Sequence, residues 1–169
     1  MGDDRARAAR RQGPAHGPGL RACNLGNVHL FSQVAKVEAL KSSPLFHGLA
    51  RSELAQLAKE TEDLELGPGK VLCEEGETAR EFFVILDGEV EVTKDGHRLA
   101  ALGPGDFFGE IALIEHSTRT ATVTATTPVR FFVLTSRAFS AVLDNNPGVE
   151  RKVLRTLAKR VLGSADPTA

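Results

Sequence analysis

The sequence predicts a mainly β fold with flanking helices, an antiparallel sandwich or jelly roll, on three observations. Short apolar or alternating runs recur between Asp63 and Leu134 at a spacing of about 8 to 12 residues. Turns containing Gly or Pro separate them, and no helical pattern intervenes between successive runs as a parallel sheet would require. On either side the apolar residues shift to three- and four-residue spacing, the period of a helix.

A chain of 169 residues with 41% hydrophobic content has the prior of one domain with one core. Its formal net charge of −1 argues against a phosphate-backbone partner, which normally shows a clear basic excess. No apolar run approaches the roughly 20 residues of a membrane span. The Arg-rich start runs into Gly, Pro and polar residues where a leader would be apolar, and Ala6 stands where myristoylation wants Ser or Thr. A cytoplasmic setting is therefore expected. Cys23 and Cys73 form neither a CxxC motif nor a zinc set and are read as reduced thiols.

Residues 1–27 are rich in Arg, Ala, Gly and Pro and carry too little apolar surface to offset the entropy of ordering, so a flexible basic tail is expected. From Val28 the residues Leu30, Phe31, Val34, Val37 and Leu40 mark one helix face, which stops before Pro44. Ser52 and Glu53 open a second helix through Leu54, Leu57 and Ala58. Strands follow at 63–66 and 70–73, around the Gly67-Pro68-Gly69 turn. Residues 82–86 read as a buried strand, Asp87-Gly88 as a hairpin turn and 89–93 as its alternating partner; Asp95-Gly96 leads to 98–102. Gly103 through Gly109 reads as a tight turn, because its spacing is not GxGxxG and no Gly-Lys-Ser/Thr follows. Strands are expected again at 121–125 and 129–134, then a helix capped by Ser136 to about Leu143 and a last helix opened by Pro147 and ending at Gly163. The resulting organisation is a tail at 1–27, a domain at 28–145, a terminal helix at 146–163 and a tail at 164–169.

The chemistry concentrates in Phe108-Gly109-Glu110-Ile111-Ala112-Leu113 and Arg119-Thr120-Ala121. Gly109 lets backbone approach a ligand, and the run after it can form one helical turn whose free N–H groups suit an anion. Arg119 supplies a guanidinium fork for two phosphate oxygens. Glu110 would repel a phosphate unless it accepts a hydrogen bond from a neighbouring hydroxyl, as from a ribose.

This combination resembles the phosphate-binding cassette of cyclic-nucleotide-binding domains, the family of the cAMP-dependent kinase regulatory subunits, cyclic-nucleotide-gated channels and catabolite activator protein. The resemblance extends in pattern from about Val37 to Leu162, with Thr118 where many members carry Pro. It implies a β roll with helices that move when ligand binds, and a site of Phe108, Gly109, Glu110, Ile111, Ala112, Arg119, Thr120 and Ala121. The implied ligand is cAMP, with cGMP tolerated because a Thr after the Arg can meet the guanine amino group. No catalytic residue, metal or further cofactor is expected: the five His are scattered without an HxH or HExxH pair, which weighs against the rival cupin enzymes, and no nucleophile and base pair stands out. The expected role is a stand-alone sensor signalling to an effector protein through its flanking helices, with a homodimer through the terminal helices as one arrangement. The rivals are a fragment of a catabolite-activator-like regulator, whose helix-turn-helix would have to follow Gly163, and a same-fold scaffold that binds no nucleotide. On the terminal helix Val149, Val153, Leu154, Leu157 and Val161 fall near one face, and Leu154 or Leu157 is expected to close over the base as a lid.

Overall fold

The computed structural model describes residues 31–164. The expected N-terminal tail, Cys23 and the start of the first helix at Val28 lie outside the described residues. Among the described residues eight antiparallel strands form two four-stranded sheets. One has the order β1 (Thr61–Leu66), β8 (Val129–Thr135), β3 (Glu81–Asp87), β6 (Phe107–Phe108); the other has β2 (Val71–Cys73), β7 (Thr122–Ala125), β4 (Val90–Lys94), β5 (His97–Leu102). The expected mainly β roll with flanking helices is thus the observed fold.

Alternation along β3 explains how the sheets meet. Phe83 and Ile85 point into the space between the sheets with Leu64, Val90, Val123 and Phe131, while Phe82 and Val84 face the other way onto a helical layer. Residues 82–85 are all buried, which is why this strand reads as a continuous apolar run instead of an alternating one. Gly88 closes the β3–β4 hairpin at φ 83°, and a Cβ there would lie 2.1 Å from the Pro128 carbonyl oxygen, so only Gly fits.

The helical layer contains α1 (Gln33–Ser42), α2 (Arg51–Lys59), α4 (Ser136–Asn145) and α5 (Pro147–Ser164). Leu54, Leu57 and Ala58 of α2 are buried as expected, together with Phe139 of α4, which stacks on Phe82 at 4.3 Å, and Val149 and Val153 of α5. Two helices are capped earlier than read from sequence, by two residues at α2 and by one at α4. Ala50 caps α2, its N–H donating to Glu53 at 2.7 Å, and Thr135 caps α4, its hydroxyl accepting from Ala138 N–H. Both displaced Ser residues sit inside the first turn, where a short polar side chain is tolerated.

Two helix faces differ from the apolar-stripe expectation. On α1, Val34 is 68% exposed while Lys36 is buried: its ammonium donates to the Thr61 carbonyl at 2.6 Å and lies 3.8 Å from Asp63. Asp63 also accepts from the Phe31 N–H, so one carboxylate inside β1 anchors the start of the helical layer. On α5, Leu154 and Val161 are 54% and 65% exposed, and Leu157 packs against the helical core. The polar face pins this helix instead. Lys152 reaches across to the carbonyls of Pro44, Leu45 and His47 in the loop after α1, at 2.9, 3.3 and 2.8 Å.

Candidate functional site

The turn expected at Gly103 to Gly109 contains a strand. Phe107 and Phe108 form β6 on the edge of β3, pairing Val84 with Phe107 and Phe83 with Phe108. Two residues are too few to show a period, but the pairing fixes where the chain leaves the sheet: Gly109, at φ 92°, turns it away into α3 (Glu110–Ile114). A Cβ at Gly109 would meet Arg119 Nη1 at 2.8 Å and the Glu81 carbonyl oxygen at 2.9 Å, so here Gly serves both a left-handed backbone and a close approach.

After α3, Ser117 N–H donates to the Ala112 carbonyl and His116 takes φ 53°. Arg119 is then fastened by its backbone: its N–H donates to Glu77, its carbonyl accepts from Gly76, and Thr118 bridges Thr78. This short ladder ties Thr118 and Arg119 to the β2–β3 loop.

The two ionic residues singled out from sequence are brought together and buried, Glu110 at 1% and Arg119 at 5% exposure. Charges are not buried without partners. Arg119 Nη2 pairs with Glu81 at 3.1 Å, Nη1 donates to the Gly109 carbonyl at 3.5 Å, and the guanidinium lies over the Phe83 ring at 5.4 Å. Glu110 pairs with Arg160 of α5, which also donates to the Phe107 carbonyl and lies over the Phe107 ring at 5.2 Å. Burial pushes the Glu110 carboxyl above its ordinary range; Arg160, a backbone hydrogen bond and Arg119 pull it partly back.

The other residues read from sequence surround this pair. Phe108 is buried and stacks on Phe83 at 4.7 Å, and Ala112 is buried; Ile111 and Ala121 are half-buried and Thr120 is exposed at the rim. Glu81 and Arg160 were not legible as site residues. Glu81 opens a strand and Arg160 lies among the other cations of α5, so neither stands out until the fold places them. Two surface clefts lie on the helical side, between α1 and α2 and between α2 and α4, and no cassette residue lines either. Among the described residues no cluster of His, Cys, Asp or Glu could hold a metal, and no helix is long and apolar enough to cross a membrane.

A β roll carrying this turn, acid and arginine defines the class, and comparison with known proteins agrees. Residues 63–146 match the model of the cyclic nucleotide-binding domain. Over that segment the chain belongs to the cyclic nucleotide-binding domain family. It is 29% identical over 129 residues to a CRP-like cAMP-activated global transcriptional regulator of Mycobacterium tuberculosis, covering 73% of this chain and 58% of the relative. It is 34% identical over 119 residues to a cAMP-dependent protein kinase regulatory subunit of Mycosarcoma maydis, covering 65% and 23%. The structure of a cAMP-binding acyltransferase from Mycobacterium smegmatis superposes with a TM-score of 0.64 at 33% identity, covering 73% of this chain and 40% of that one. The chain thus spans less than two thirds of each of these proteins.

Proposed function

We propose that this chain is a cyclic-nucleotide sensor that takes cAMP, and tolerates cGMP, at the cassette of Phe108 to Ala112 and Arg119 to Ala121. The observation that carries this reading is the buried Glu110 and Arg119 on either side of a left-handed Gly109. A 3′,5′-cyclic nucleotide has one phosphate charge and one free ribose hydroxyl, the 2′-OH. Arg119 answers the first and Glu110 the second, while Gly109, Ile111 and Ala112 allow close backbone approach. The relatives' names join this kind of domain to transcription, kinase regulation and acyl transfer, so the output of the present chain is a matter of what its helices contact. In this reading α5 is the lid: Arg160 ties it to the pocket, while Leu154 is exposed and Leu157 packs on the helical core, either of them placed to close over the base when ligand is bound. The listener is an effector protein.

The paired state of both ionic groups, Glu110 with Arg160 and Arg119 with Glu81, favours one second reading: a scaffold of the same fold in which these pairs are structural. Calorimetry with cAMP, cGMP and adenosine separates them. The sensor binds the cyclic nucleotides at micromolar or better affinity and adenosine far more weakly; no saturable heat from either cyclic nucleotide rejects it. Thr120→Ala should weaken cGMP by about 1 kcal/mol more than cAMP, the worth of one neutral hydrogen bond, and equal losses would remove Thr120 from base recognition.

A further inference from the structure

Glu81 is an unexpected neighbour for an anion site. Its carboxylate lies 3.1 Å from Arg119 Nη2, with the Glu81 side chain 21% exposed and that of Arg119 at 4%. A phosphate approaching Arg119 therefore meets a fixed negative charge in a partly desolvated setting, where like charges repel more strongly than in water. The ionic groups of the pocket already balance, Arg119 and Arg160 against Glu81 and Glu110. The remaining N–H donors of Arg119 can hold the oxygens of one anionic group, and each further negative charge on the ligand adds to the repulsion from Glu81.

Hydrolysis of a 3′,5′-cyclic phosphodiester adds water across one P–O bond, leaving a ribose hydroxyl and a phosphomonoester. The diester carries one charge, whereas the monoester carries about −1.5 to −2 at neutral pH. We infer that Glu81, by sharing Arg119, makes the pocket a charge filter that accepts the monoanionic cyclic phosphodiester and rejects the dianionic nucleoside monophosphate. This rests on the cyclic-nucleotide reading above and adds a specificity-determining residue outside the cassette. Were Glu81 only a positioning residue for Arg119, its removal would weaken both ligands alike.

The test measures cAMP and AMP binding to the full chain and to Glu81→Gln, which keeps the shape and an acceptor oxygen and removes the charge. The cAMP-to-AMP affinity ratio should fall by about tenfold in the variant, mainly because AMP binds more tightly. A ratio within about twofold of the unaltered chain's, with cAMP still bound, overturns the filter and leaves the sensor standing. A second measurement needs no variant and decides alone if Glu81→Gln does not fold: adenosine 5′-(methyl phosphate), an acyclic monoanion, should bind the unaltered chain about tenfold more tightly than AMP. AMP binding as tightly as the bulkier methyl ester overturns the filter. Failure of cAMP itself to bind the unaltered chain rejects the sensor, and the filter with it.

Discussion

At the scale of single residues, burial sets what each ionic group contributes. Arg119→Ala should weaken cyclic-nucleotide binding by about 2 to 5 kcal/mol, because a desolvated phosphate would lose its charged partner. Glu110→Ala should cost less, about 1 to 3 kcal/mol, since it removes one hydrogen bond from a neutral hydroxyl. Isotherms of both variants against cAMP check the order; a normal Arg119→Ala isotherm would remove the assignment of that residue. Glu110 also makes stability depend on pH. Burial raises its folded pKa above the ordinary 4.5, so the folded chain holds a proton that the unfolded chain has released. Its favourable contribution is full below about 4.5 and is lost as pH rises through the folded value. Urea unfolding of the natural chain and Glu110→Gln should therefore show the natural chain losing stability relative to the variant as pH rises from 4.5 to neutral; parallel profiles would show an unshifted carboxyl. Glu110 and Arg119 were legible in sequence because a glycine, an acid and an arginine on one short segment imply a ligand. Their holders were not, since Glu81 and Arg160 lie 38 and 50 residues from their partners and only tertiary structure joins them.

Among the elements, α5 has the clearest expected response. Arg160 ties it to the carboxylate proposed for the ribose hydroxyl, so ligand in the pocket and α5 on the pocket share one acceptor. A ligand shifts an equilibrium only by favouring one state, and a carboxylate that accepts from the ribose hydroxyl and from Arg160 together favours the docked helix. Amide exchange over residues 148–162 should slow when cAMP saturates the chain, and Arg160→Ala should abolish most of that slowing. Exchange that cAMP leaves unchanged would make α5 a fixed structural element. The existence of α5 was readable from Pro147 and the apolar spacing; its contact was not. A stripe at helical spacing suggested Leu154 or Leu157 as the cap; it did not show that Val149 and Val153 take up the buried face or that a charged residue two turns on reaches the cassette. The strand β6 escaped notice for a different reason. Its two residues lie between glycines, and its existence depends on β3 offering an edge.

For the whole molecule, the helices are part of the core as much as coverings of it. Val149 and Val153 are 3% and 1% exposed, and burying two such side chains contributes about 3 to 6 kcal/mol. Against the roughly 5 to 15 kcal/mol that holds a typical domain folded, a chain ending at Asn146 should be marginal. Its urea midpoint should fall sharply, and its cAMP affinity should fall with it; an unchanged midpoint would show that the β roll stands alone. Fold class was legible because strand spacing and turn residues are local signals. The sorting of β3 into two cores was not, because an all-apolar strand does not say which side chain faces which layer.

The two cationic anchors of α5 have a mechanical consequence. Lys152 grips three carbonyls of the loop after α1, while Arg160 grips the cassette. Eight residues of helix separate them, about 12 Å at 1.5 Å per residue. With Lys152 as fulcrum, a displacement of about 1 Å at Arg160 swings the helix axis by about 5°. The outward-facing Val161 and Leu162 lie at the far end of that arm, where the sweep is widest.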